Sequence, residues 1–180
     1  DLHSFPTRRS SDLRFEAEGY DPGNAAKVAA ATAEVIIEGC DETSIDFVYG
    51  GGNAAAVPAT DVTIIGSYII NTVFGGGNGA GEGNPGADVG IYKEGDTPTN
   101  YGTGKAVTHL KGGCINSVYG GSNTKGNIRD GVSVERKKDD LSSCKLMVGN
   151  VYGAGHNADM EGNVNILLEC MPEDYVKEVF

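Results

Sequence analysis

The sequence predicts an all-β fold, a right-handed parallel β-helix (β-solenoid) of about five coils, each with three short strands, interrupted by long loop insertions. Three observations carry that reading. Glycine reaches 28 of 180 residues without recurring at every third position, so it marks corners and not a collagen helix. Valine and isoleucine alternate with polar residues over four to six positions, the period of a half-buried strand. One segment recurs in register: IDFVYGGGN (Ile45 to Asn53), INTVFGGGN (Ile70 to Asn78), INSVYGGSN (Ile115 to Asn123), VGNVYGAGHN (Val148 to Asn157) and VKEVF (Val176 to Phe180).

The chain opens with SFPTRRSSDL (Ser4 to Leu13). Written back into codons, this stretch reproduces a widely used short-read sequencing adapter, so residues 1–13 are read as an adapter-derived leader. Residues 14–180 are then a single β-solenoid fragment, expected to be truncated at both ends because VKEVF stops in mid-repeat. The first corner, near 23–24, is a degenerate copy in which Gly23-Asn24-Ala25-Ala26 matches Gly52-Asn53-Ala54-Ala55. Full corners follow near 50–53, 75–78, 120–123 and 153–157. After a corner comes one apolar position (Val28, Val57, Ile128, Met160), then an alternating pair: Val35/Ile37, Val62/Ile64, Val107/His109, Val132/Val134 and Val164/Ile166. The aromatics at 49, 74, 119, 152 and 180 are spaced by 25, 45, 33 and 28 residues, so the excess is assigned to insertions at 79–105 and 136–144. A unit this short cannot bury its apolar face alone, whereas copies stacked at the ~4.8 Å strand spacing form a continuous core.

Each corner has an aromatic followed by glycines: Tyr49 by Gly50-Gly51-Gly52-Asn53, Phe74 by Gly75-Gly76-Gly77-Asn78, Tyr119 by Gly120-Gly121 with Asn123, and Tyr152 by Gly153 with Gly155. A phosphate-binding loop needs one Gly-rich turn that opens a helix and closes with Lys-Ser/Thr. Here the turn recurs and no helical period follows it. The glycines are therefore expected to supply positive φ where the coil reverses. Asn53, Asn78 and Asn123 are expected to form an amide ladder. The aromatic column is expected to stack ring on ring, with Tyr49, Tyr119 and Tyr152 as weaker candidates for glycan contact.

A net charge of -11, from 14 Lys and Arg against 25 Asp and Glu, argues against nucleic acid or anionic lipid as partners, since both need clustered cations. ERKKDD (Glu135 to Asp140) is flanked by acids and reads as a solvated loop. No apolar run approaches the ~20 residues of a membrane span, so no membrane insertion is expected in this segment. Cys40, Cys114, Cys144 and Cys170 form no C-x-x-C pair; a column of small buried residues is expected in preference to a disulfide, although neighbouring coils lie close enough for one. His109 reads as a core-facing substitution and His156 as a replacement for the ladder asparagine, neither with a carboxylate or second histidine at ligand spacing. GGGNGAGEGN (Gly75 to Asn84) lacks the Asp of a calcium-binding nonapeptide, which leaves calcium only to acidic corners such as Asp41-Glu42 or Asp88. A solenoid polysaccharide lyase or hydrolase would need charged residues at equivalent outward positions of neighbouring coils. Three residues before the aromatic stand Asp46, Asn71, Asn116, Gly149 and Lys177, which form no such cluster. No catalytic, metal or cofactor-binding residue is assigned.

The motif I-x-x-V-[YF]-G-G-G-N, followed by V-T-I, resembles the Gly/Asn-rich repeats of very large bacterial cell-surface and adhesin-like proteins, over Gly19 to Phe180. The kelch propeller shares the double glycine but departs through its ~50-residue repeat and its tryptophan, which this chain lacks. The resemblance implies a secreted or surface-displayed segment, extracellular and structural or adhesive, with no catalysis. Its partners would be flanking coils of the same parent chain and a host or environmental glycan or protein. The rival readings are a carbohydrate-binding module or an accessory part of a β-helix polysaccharide lyase or hydrolase.

Overall fold

A computed structural model describes residues 31–79, 86–94, 97–139, 142 and 144–180. The leader 1–13, the corner near 23–24 and Val28 lie outside the described residues, as do 80–85, 95–96, 140, 141 and 143 of the two insertions.

The β-branched runs become strands: β1 (Ala33–Ile37), β2 (Ser44–Tyr49), β3 (Thr60–Ile64), β4 (Ile69–Phe74), β5 (Ile91–Glu94), β6 (Thr97–Asn100), β7 (Ala106–Leu110), β8 (Gly113–Tyr119), β9 (Val132–Arg136), β10 (Leu146–Tyr152), β11 (Val164–Leu168) and β12 (Tyr175–Val179). The described residues form no helix. Five strands in the order β1-β3-β7-β9-β11 make one parallel sheet, here sheet A. Five more in the order β2-β4-β8-β10-β12 make a second parallel sheet, sheet B. β5 and β6 form a separate antiparallel pair.

Sheet A keeps period two. Its register puts Val35, Val62, Thr108, Val134 and Ile166 in one inward column. That register corrects the phase expected for β7: Ala106, Thr108 and Leu110 are buried, while Val107 and His109 are half-buried on the outer face. Alternation sets a period but not a phase, and pairing with the buried Thr60, Val62 and Ile64 decides it. In sheet B the inward residues stand three apart, as in Ile45/Val48, Ile70/Val73, Ile115/Val118 and Val148/Val151. Two consecutive polar or surface positions between them interrupt the alternation.

A third contact column is made by Val57, Val89, Ile128 and Met160, joined only by isolated parallel bridges. This corrects the expectation of three strands per repeat, because the third side is one residue deep. Pro58 has no N–H to extend the ladder after Val57, and Gly90, with φ of 81°, turns the chain away after Val89. Val89 lies within 79–105, so that insertion also corrects expectation: it contributes a buried core residue and the β5–β6 pair. The second insertion starts one residue later than 136, since Arg136 ends β9 and is 4% exposed. Four times the chain runs in the same order: β2–Val57–β3, β4–Val89–β7, β8–Ile128–β9 and β10–Met160–β11.

Among the described residues no corner glycine takes a positive φ; such values fall at Gly104, Gly131 and Gly162 before sheet A strands, and at Gly39 and Gly113 among others. The expected reason for the triplets is thus corrected. They are glycine because neighbouring levels approach closely: a Cβ on Gly75 would lie 2.3 Å from the Gly120 carbonyl oxygen and 2.8 Å from Thr108 Oγ1, and one on Gly50 would lie 2.3 Å from the Gly75 carbonyl oxygen. Gly75→Ala is expected to destabilise the fold at the upper end of the ~1–3 kcal/mol seen for overpacking, since backbone and not a flexible side chain must yield. A urea midpoint equal to the parent's would refute the close-approach account.

The cysteines give another correction. Cys40 and Cys144 form a disulfide, with Cα atoms 5.5 Å apart across 104 residues of sequence. Cys40 lies at the first level, between β1 and β2, and Cys144 at the fourth, between β9 and β10. The segment carrying Cys144 reaches back across the intervening levels: Ser142 Oγ donates to the Ile65 carbonyl at 2.6 Å. Glycines make room for this strap, since a Cβ on Gly66 would sit 2.2 Å from Cys144 Sγ and one on Gly112 would sit 2.9 Å from Cys144 Cβ.

Candidate functional site

The recurring corner brings its aromatic and amide residues into two columns. Ring centroids lie 5.2 Å apart for Tyr49–Phe74 and Phe74–Tyr119, 4.5 Å for Tyr119–Tyr152 and 4.8 Å for Tyr152–Phe180, with interplanar angles of 6° to 13°. Each interior ring is covered on both faces by its neighbours, leaving edges and hydroxyls outward. Burial, and then the adjacent Tyr152, push the pKa of Tyr119 up from the ordinary phenol value. Beside the rings, Asn78 Nδ2 donates to Asn53 Oδ1 at 2.7 Å and Asn123 Nδ2 donates to Asn78 Oδ1 at 2.8 Å. His156 Nδ1 continues the ladder 3.3 Å from Asn123 Oδ1.

A second ladder runs through the column of Asp46, Asn71 and Asn116. Asn71 Nδ2 donates to Asp46 Oδ1 at 2.7 Å, and Asn116 Nδ2 donates to Asn71 Oδ1 at 2.9 Å. Its sequence signal was the shared position three before the aromatic. An acceptor-only carboxylate at one end and amides after it make a chain of hydrogen bonds, not an acid–base pair.

Outside this corner, the outer face of sheet A carries the most chemistry. His109 stands between two carboxylates, Nε2 3.6 Å from Asp61 Oδ2 and Nδ1 3.7 Å from Glu135 Oε2. One expectation is corrected here: His109 does have carboxylate neighbours, which come from the outer face of sheet A and not from the column three residues before the aromatic. Parallel register places His109 beside Glu135 on β9, and Asp61 on β3 lies one row over. The hydrogen bond from Lys137 holds the Glu135 carboxyl below its usual range, against burial and with help from Ser133, which donates at 2.8 Å. Asn165 Nδ2 donates in turn to Ser133 Oγ at 3.1 Å. A groove of about 440 Å³ runs past Lys105, Val107, Asp130, Ser133, Glu135 and Asn165. Glycoside hydrolysis needs two carboxylates with a sugar and water between them. Here the imidazole fills the gap between Asp61 and Glu135 and sets side chains of three strands side by side.

The ERKKDD reading is also corrected at its first two residues, which belong to β9. Arg136 Nε meets Asp174 Oδ2 at 2.9 Å, with side chains 5% and 1% exposed. Burial acts to raise the Asp174 carboxyl, but hydrogen bonds from the Met171 amide, from Arg136 and from the Leu146 amide outweigh it, and its pKa lies below the usual aspartate value. At the acidic corners considered for calcium, Asp88 Oδ1 accepts the Asn127 amide at 2.7 Å. Among the described residues no group of three His, Cys, Asp or Glu is placed to hold a metal ion. A further groove of about 400 Å³ is lined by Cys40, Ser67, Cys114, Cys144, Lys145 and Met147. No protein-family model, curated protein or solved structure matches this chain.

Proposed function

We propose that this chain is a non-catalytic structural or adhesive repeat segment of a secreted or surface-displayed bacterial protein, wound as a right-handed parallel β-solenoid. The observation that carries the reading is the corner itself: its amides bond to amides, its rings cover rings, and its glycines admit the next level's backbone. Residues that repeat most faithfully are committed to holding level on level. The four-fold return through sheet B, bridge column and sheet A supports a solenoid path. The Cys40–Cys144 disulfide supports an oxidising, extracellular setting, and the bacterial surface assignment rests on the repeat resemblance.

Carbohydrate binding through the aromatic column is disfavoured, because a sugar cannot enter between rings stacked 4.5 to 5.2 Å apart. A glycan array probed with the parent and with Tyr119→Ala tests the choice. The expected result is that the parent retains no glycan and that Tyr119→Ala lowers thermal stability. A glycan held by the parent and lost in a Tyr119→Ala protein of unchanged stability would overturn the structural reading.

A further inference from the structure

The protein keeps a free thiol beside its closed disulfide. Cys114, half-buried on β8, and both bridged cysteines line the same groove of about 400 Å³. The strand holds Cys114 in place: its N–H donates to the Ser67 carbonyl at 3.3 Å, and Ser67 Oγ donates to the Cys114 carbonyl at 3.2 Å. Cys144 packs against Gly112, two residues before Cys114 and at the same third level of the fold. Cys40 belongs to the first level, whereas Cys144 rests its Cβ on Gly112 at Cys114's level and its sulfur on Gly66 one level before, so of the bridged pair Cys144 is the one that reaches Cys114's level. The other free cysteine, Cys170, follows β11 and does not line the groove. Burial, and then Asp174, push its thiol pKa up, which lowers its thiolate fraction.

We propose that this groove is an intramolecular thiol–disulfide exchange site, at which Cys114 takes Cys144 from Cys40. The Cys114 thiol gives its proton to water, and the thiolate attacks Cys144 Sγ. The Cys114–Cys144 bond forms as the Cys40–Cys144 bond breaks, and Cys40 leaves as a thiolate that takes up a proton. One disulfide and one thiol stand on each side of the step, so it consumes neither oxidant nor reductant. The strap moves its anchor from the first level to the third, uncovers Gly66 and frees the Cys40 thiol.

Two proteins test this in a Cys170→Ser background, which removes the outlying thiol. The first is otherwise unchanged, held at about pH 8.5 where an ordinary thiol is half ionised, then alkylated in acid and mapped without reduction. A Cys114–Cys144 peptide appearing together with alkylated Cys40, and lost in Cys114→Ser, is the expected result. A map showing Cys40–Cys144 alone at every time overturns the proposal. The second carries Cys40→Ser, and oxidation is expected to join Cys114 to Cys144 with loss of both titratable thiols. Two thiols that stay free in a protein whose circular dichroism matches the parent's also overturn it.

Discussion

Replacing Cys40 and Cys144 together by serine is expected to lower the unfolding free energy by about 4–5 kcal/mol, the chain-entropy value for a cross-link closing a loop of ~100 residues. The bridged cysteines are 104 residues apart, so most of the fold lies within the loop. For a chain of this size each kcal/mol moves the melting temperature by roughly 2–4 °C, giving a fall of roughly 10–20 °C. Thermal unfolding of the double variant against the oxidised parent measures it, and a parent held in reductant should melt with the variant. A difference below about 1 kcal/mol would show that Ser142 and the packing on Gly66 and Gly112 hold the strap without the covalent link.

Arg136→Ala is expected to cost about 3–5 kcal/mol, the range for removing one partner of a buried ion pair. The loss arises because Asp174, with its side chain 1% exposed, would keep a carboxylate with no cation beside it. Arg136→Met combined with Asp174→Asn should recover part of that loss, since no unpaired charge stays buried and the amide oxygen still accepts the Met171 N–H, while the Leu146 N–H, which uses the other oxygen, loses its acceptor. The pH dependence has a defined sign. The Asp174 carboxyl titrates below its usual 3.8 when folded, so its contribution is complete above about pH 5 and is lost as the pH falls through 3.8 towards the folded value. Urea midpoints at neutral pH and near pH 3 should therefore differ more in the parent than in the double variant. An equal acid shift in both would remove Asp174 from the acid response.

What the sequence made legible was whatever repeats locally. Val57, Ile128 and Met160 follow their corners at a near-constant distance and do form a column. Asn53, Asn78 and Asn123 share a motif position and do bond in a ladder. Val89 is hidden in the sequence because it lies twelve residues beyond Gly77, where the other corners need about five, and the bridges to Val57 and Ile128 reveal its equivalence. In sequence alone His109 passes for an inward residue because Val107 and His109 alternate as well as Ala106, Thr108 and Leu110 do, and no single strand contains the register that separates them. The strap and the Arg136–Asp174 pair depend on residues 104 and 38 apart. Neither distance is a period, so neither leaves a pattern in composition or spacing.

The disulfide also sets how far this segment can be drawn out under load. An extended chain reaches ~3.3–3.6 Å per residue, so the 104-residue interval between Cys40 and Cys144 amounts to roughly 350 Å of hidden contour length. While the bond is closed, tension applied at the two ends bypasses that interval and cannot lengthen it. Once the bond is opened, the whole reserve can be paid out, and a chemical event at one sulfur pair resets the reach of the segment.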